Sequence, residues 1–133
     1  IDMKHQEGRF ISFMIGGSTN VMQCHIENAM IYIHYEDGKE DSIGLIPPVN
    51  YWNLCPITST ATAAGQGGRS YYTSSIDQFC MPKVLPETVR LGQNCTVMLI
   101  NRRIREGVGI ESITLKCLSQ EVVVGLMGIS IGK

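Results

Sequence analysis

Residues 30–46, MIYIHYEDGKEDSIGLI, constrain this chain more than any other stretch. Over 30–35, Ile31, Ile33 and Tyr35 fall on one side and Met30, Tyr32 and His34 on the other. A strand turns successive side chains to opposite faces, so the alternation is that of a strand with one face buried and the other partly covered. Asp37-Gly38 follows at once. Glycine takes positive φ without a Cβ clash, and Asp-Gly between two alternating runs is a strong hairpin signal. The return strand is expected over 41–46, with Ile43 and Leu45 in phase. Just upstream, 22–27 also alternates. Met22, Cys24 and Ile26 oppose Gln23, His25 and Glu27, which predicts a strand leading into the hairpin.

The rest of the chain has the same character. Residues 1–8 are polar, without periodicity, and are expected to be a frayed lead-in. A first strand is predicted over 9–15, RFISFMI, ended by Gly16-Gly17-Ser18-Thr19-Asn20. Pro47-Pro48 closes the hairpin, because proline lacks the donor a ladder needs. Residues 49–82 carry no strand or helix pattern and form a long irregular loop in this reading. Regularity returns with a short strand over 88–91 and a longer one over 95–101. A basic turn follows, Arg102, Arg103 and Arg105. In 110–118, Ile113, Leu115 and Cys117 are expected to face inward. The last run, 121–131, is interrupted by Gly125 and Gly128, which mark a bulge or a close backbone approach. The short link Ser119-Gln120 predicts that the last two strands form an antiparallel hairpin.

Roughly seven to nine short strands with turn signals between them point to an all-β antiparallel two-sheet sandwich. A jelly-roll-like arrangement is favoured over a closed barrel. The 133 residues fit one domain of about 100–200 residues, so 1–133 is read as a single β-sandwich domain. The start at Ile1 points to a piece of a longer protein. Hydrophobic residues make up 44%, enough for a core, while a net charge of −1 leaves no electrostatic footprint for nucleic acid or an acidic membrane surface. No apolar run approaches the roughly 20 residues that span a bilayer as a helix.

Little in the residues speaks of catalysis. Cys24, Cys55, Cys80, Cys95 and Cys117 are odd in number and widely spaced, with no paired zinc or redox spacing. They are read as free thiols, with a Cys55–Cys80 disulfide as the alternative in an oxidising compartment. His25, Glu27 and His34 on neighbouring strands could ligate a metal, but exposed strand polar residues are commoner, and no metal or cofactor is expected. Gly65-Gln66-Gly67-Gly68-Arg69-Ser70 lacks the lysine and the spacing of a phosphate loop. Asp37, Glu40, Asp41, Glu106 and Glu111 read as solvated turn charges rather than a hydrolytic pair. Asn94-Cys95-Thr96 matches a glycosylation sequon, relevant only to a eukaryotic secreted chain. The basic turn has no aromatic neighbours suited to nucleic acid. The aromatic loop is the remaining candidate. Tyr51, Trp52, Tyr71 and Tyr72 could stack on sugar rings, with Asn53 and Arg69 bonding hydroxyls. Against this stands a plainer role for Trp52, anchoring the loop to the domain or packing on a neighbouring one.

Four segments carry a family resemblance: GSTNVMQCHIENAMIYIHYEDG, PPVNYWNL, LPETVRLG and IESITLKCLSQEVVVGLMGISI. Gly17-Ser18-Thr19-Asn20 with Met22-Gln23, then Asn28 with Tyr35, Asp37 and Gly38, then Trp52, then residues 121–127 are the matching positions. Together they resemble the C-terminal β-sandwich region of large glycoside-hydrolase-like proteins, an uncharacterised family of polysaccharide-degrading bacteria. Ala29 stands where that pattern has glycine, and the spacing after Trp52 differs. The resemblance implies a galactose-binding-like sandwich serving a larger carbohydrate-active protein, with catalysis in another domain and no catalytic residue here. It implies other domains of the same chain and a polysaccharide or oligosaccharide as partners, and a periplasmic or extracellular parent. The competing expectation is a purely structural domain that packs against a neighbour and binds no ligand. A complete small enzyme would need a catalytic motif that the residues do not supply.

Overall fold

The computed structural model describes residues 1–19, 23–52, 54, 87–92 and 96–133. Its strands are β1 (Asp2–Gln6), β2 (Phe10–Ser18), β3 (Ala29–Tyr35), β4 (Glu40–Leu45), β5 (Thr88–Arg90), β6 (Thr96–Arg103), β7 (Ile110–Cys117) and β8 (Val123–Gly132). They form two four-stranded antiparallel sheets, ordered β1-β7-β3-β4 and β5-β6-β2-β8. Ile11, Phe13 and Ile15 of one sheet and Ile31, Ile33, Tyr35, Ile110 and Ile113 of the other belong to one buried cluster. The molecule is therefore a β-sandwich with its core between the two inner faces.

The hairpin forms as its alternation predicts. Ile31 pairs with Ile43, Ile33 with Asp41 and Ala29 with Leu45. Ile31, Ile33, Tyr35, Ile43 and Leu45 are buried, and Met30, Tyr32 and His34 lie half-buried on the outer face. Gly38 sits at φ 76°, the left-handed conformation for which glycine is suited at this turn. Asn50 finishes β4 by accepting from the Ile46 amide at 2.8 Å and donating to the Gly44 carbonyl at 2.7 Å.

Other expectations are corrected. Residues 23–26 turn instead of forming a strand, because His25 adopts a left-handed φ of 62° and its amide bonds to the Pro47 carbonyl. The first strand continues through Gly16-Gly17 to Ser18, since both glycines pair with β8. Residues 2–6 are not frayed: they form β1 on the edge of β7, and the Ile1 ammonium bonds to the Ile113 carbonyl at 2.8 Å. Strand β6 runs on into the basic segment, where Arg102 and Arg103 pair with Ile11 and Phe10. Cys117 is exposed, while Ile113 is buried and Leu115 half-buried. Strands β7 and β8 are not a hairpin. Strand β7 already has β1 and β3 on its two edges, so the chain crosses to the other sheet to pair β8 with β2. The predicted irregularity at the glycines of β8 is a bulge: Met14 faces Gly128 while Ile15 faces Leu126, leaving Met127 as the extra residue.

Candidate functional site

The two described aromatics from the 49–82 loop lie inside the molecule. Tyr51 is 0% exposed and Trp52 8%, and both belong to the core cluster. The Asn50 bonds that end β4 carry the chain inward at this point. The Asn28 Nδ2 donates to the Tyr51 hydroxyl at 2.6 Å and to Thr19 Oγ1 at 3.1 Å. Burial pushes the Tyr51 phenol up, partly offset by its bonds with Asn28 and Thr19. Its ring lies against Gly17, where an added Cβ would come within 3.4 Å of it. In this arrangement the Tyr51 and Trp52 rings form part of the core and present no open platform. Asn53, Arg69, Tyr71 and Tyr72 lie outside the described residues, as do Cys55, Cys80, the glycine-rich stretch 65–70 and the sequon asparagine Asn94. Cys24 and Cys117 are free thiols.

An aromatic surface does exist on the outer face of the β1-β7-β3-β4 sheet. Strand alternation puts Tyr32 and His34 on that face, two residues apart. Their rings stack with centroids 6.3 Å apart and planes inclined by 22°. His34 is held on both ring nitrogens: Nδ1 lies 3.0 Å from Glu40 Oε2 and Nε2 lies 3.1 Å from Thr114 Oγ1. The ring pair is thereby fixed on paired strands, not on a loop. Tyr32 has Ser42 of β4 on one side and Thr114 of β7 on the other. Met30, one step along, has Gly44 and Lys116 beside it. The Glu27 carboxylate occupies the space that a Cβ on Gly44 would take. The result is a half-buried aromatic pair with small neighbours, and with carboxylates, hydroxyls and an ammonium around it. The alternation of MIYIHY places both rings on one face. What it does not reveal is their stacking, which depends on the β4 and β7 partners of His34.

Asp37, Glu40, Asp41 and Glu106 are each paired with a neighbouring group, and Glu111 is exposed. Asp41 accepts from the Tyr35 hydroxyl at 2.8 Å and from Arg105 Nη2 at 3.1 Å, and the Arg105 guanidinium sits 5.4 Å from the Tyr35 ring centre. Burial, then the bond to Asp41, pushes the Tyr35 phenol up to about 12. The Asp37 carboxyl is held below its ordinary value, first by the Lys39 backbone N–H. Glu106 pairs with Arg103 at 2.8 Å and lies 3.9 Å from Arg9. His5 pairs with Glu36 beside an open cleft of about 800 Å³ whose lining includes Glu7, Arg9, Glu106 and Lys133. His25, Glu27 and His34 are separated: His25 lies in the 23–26 turn, Glu27 over Gly44 and His34 between Glu40 and Thr114. Among the described residues no three His, Cys, Asp or Glu side chains converge as a metal site.

No protein family, curated protein or solved structure matches the chain.

Proposed function

We propose that this chain is a non-catalytic β-sandwich module that serves a larger carbohydrate-active protein by holding a glycan on the outer face of the β1-β7-β3-β4 sheet. The observation that carries this reading is the stacked Tyr32–His34 pair. Aromatic faces pack on the apolar faces of sugar rings, and a site with a few polar groups around an apolar centre fixes orientation. Thr114, Ser42, Glu40 and Lys116 supply donors and acceptors of the kind that hydroxyls need. The glycan site expected at Tyr51 and Trp52 moves in this reading to Tyr32, because the former rings are in the core.

The finer fold, a jelly-roll or galactose-binding-like sandwich, belongs to the same proposal. It draws support from the way the chain changes sheet between β1 and β2, β2 and β3, β4 and β5, β6 and β7, and β7 and β8. A parent protein of this kind works where polysaccharide is met, in the periplasm or outside the cell. The test is binding of the chain to a panel of immobilised polysaccharides. Tyr32→Ala is expected to weaken that binding roughly tenfold, the order of one aromatic stacking contact. If no glycan is retained, or if Tyr32→Ala binds as the native chain does, the reading fails and a purely structural packing domain replaces it.

A further inference from the structure

Strand β8 lies at the edge of its sheet, with β2 its hydrogen-bonded neighbour among the described residues. No residue from 122 to 132 is charged. Val123 is 68% exposed and Met127 50%. Soluble proteins usually blunt such an edge with lysine, proline or a covering segment, because its free N–H and C=O groups template another strand.

Two properties of the strand identify what that other strand is. The first is symmetry. Outward from the midpoint between Leu126 and Met127, Gly125 matches Gly128, Val124 matches Ile129 and Val122 matches Ile131, while Val123 and Ser130 differ in chemistry but are both exposed. The second is facing. Val124, Leu126, Ile129 and Ile131 all pack against the core, and Val122 is buried. The step from Leu126 to Ile129 is three residues because of the Met127 bulge. In a regular strand, parity fixes the face, so a two-fold antiparallel pair centred between two residues would set inward side chains opposite outward ones. The bulge reverses parity across the centre. In the register of the sequence symmetry, inward residues then meet inward residues and outward meet outward on both sides of the central Leu126–Met127 pair, where the core-facing Leu126 meets the exposed Met127.

The glycines fit the same register. A Cβ on Gly125 would lie 3.5 Å from the Gly16 carbonyl oxygen, and one on Gly128 would lie 3.7 Å from Met14 Cβ, both ordinary contacts. Neither has a left-handed φ. The chain's own packing therefore does not demand glycine at either place, and glycine inside a strand weakens it unless another backbone comes close.

We infer that β8 is a self-association edge. A second copy of this chain docks antiparallel along it, about a two-fold axis between Leu126 and Met127, and the two four-stranded sheets become one continuous sheet. The interface is isologous, with each half of β8 meeting the other half of its partner. This inference is independent of the glycan reading.

Analytical ultracentrifugation of the full 133-residue chain tests it, with a circular dichroism melt to follow the fold of each variant. The native chain is expected to dimerise. Val123→Lys combined with Ser130→Lys sets like charges opposite each other twice, at two exposed positions. That variant is expected to raise the dimer dissociation constant roughly tenfold or more. Val123→Lys combined with Ser130→Glu sets opposite charges across the same pairs and is expected to restore the dimer. A native chain that stays monomeric, or that forms open-ended aggregates, overturns the inference. So does a dimer indifferent to the double lysine variant, or one that the lysine–glutamate variant fails to recover.

Discussion

Asn28 donates two hydrogen bonds from one amide nitrogen, to Thr19 and to Tyr51, while its side-chain oxygen is buried without a hydrogen-bond partner among the described residues. Its backbone carbonyl accepts from Leu118 and Ser119, and its amide bonds to Leu45. One residue thus ties the end of β2, the start of β3, the end of β4 and the exit of β7. Asn28→Ala is expected to cost about 2 kcal/mol, since it removes the two buried bonds that the amide donates to Thr19 and Tyr51, and Tyr51→Phe about 1 kcal/mol. In urea titrations the double variant should cost less than the sum of the singles; strict additivity would mean that the bond contributes nothing. Tyr35 supplies a pH signal. Its phenol is raised to about 12 in the folded chain, above the ordinary 10.0, so folding favours the protonated form. The associated stability is full below pH 10 and is lost as pH climbs towards 12, by about 3 kcal/mol in all. Tyr35→Phe should flatten that decline in thermal melts taken across the alkaline range; an unchanged slope would show that Tyr35 is not its source.

Among the elements, the hairpin of β3 and β4 was readable because it is local. Its alternation, its Asp-Gly turn and its partner all lie within seventeen residues of sequence, 29–45. Strand β1 was not readable, because a polar pentapeptide becomes a strand only beside β7, which lies more than a hundred residues away. The turn at 23–26 was misleading for the opposite reason. Its alternation is real, but a left-handed His25 breaks the extended path. Glycine gave the same ambiguity. Gly16-Gly17 looks like a terminator, yet a Cβ on Gly17 would stand 2.6 Å from the Val123 carbonyl oxygen, so glycine is what lets β2 continue beside β8. Gly17→Ala is therefore expected to destabilise by roughly 1–3 kcal/mol, the usual cost of overpacking. Gly125→Ala, with its nearest contact at 3.5 Å, should change stability by less than about 0.5 kcal/mol. Equal effects of the two substitutions in chemical denaturation would refute the distinction.

At the scale of the whole molecule, Trp52 takes the plainer of the two roles that the sequence offers, packing into the domain beside Tyr51. Tyr51 and Trp52, prominent in an irregular polar stretch, close the core, while Tyr32, set within a regular strand, lies on the outer face. Periodicity told which side of β3 Tyr32 occupies, but it does not tell where a chain goes after its last strand residue. Here the Asn50 side chain decides it. The consequence is a prediction about signals. Trp52 packs in a core built from both sheets, so its emission reports on the fold as a unit. Heat or urea should shift it in one transition coincident with the loss of β circular dichroism, as a single cooperative core requires. A glycan held at Tyr32 occupies the opposite side of the β1-β7-β3-β4 sheet from that core. Binding should raise the midpoint of the Trp52 transition through linkage, yet leave the native emission maximum where it was. A maximum that moves on ligand addition, with the midpoint rising as much in Tyr32→Ala as in the native chain, would place the ligand near the core aromatics instead of on the sheet.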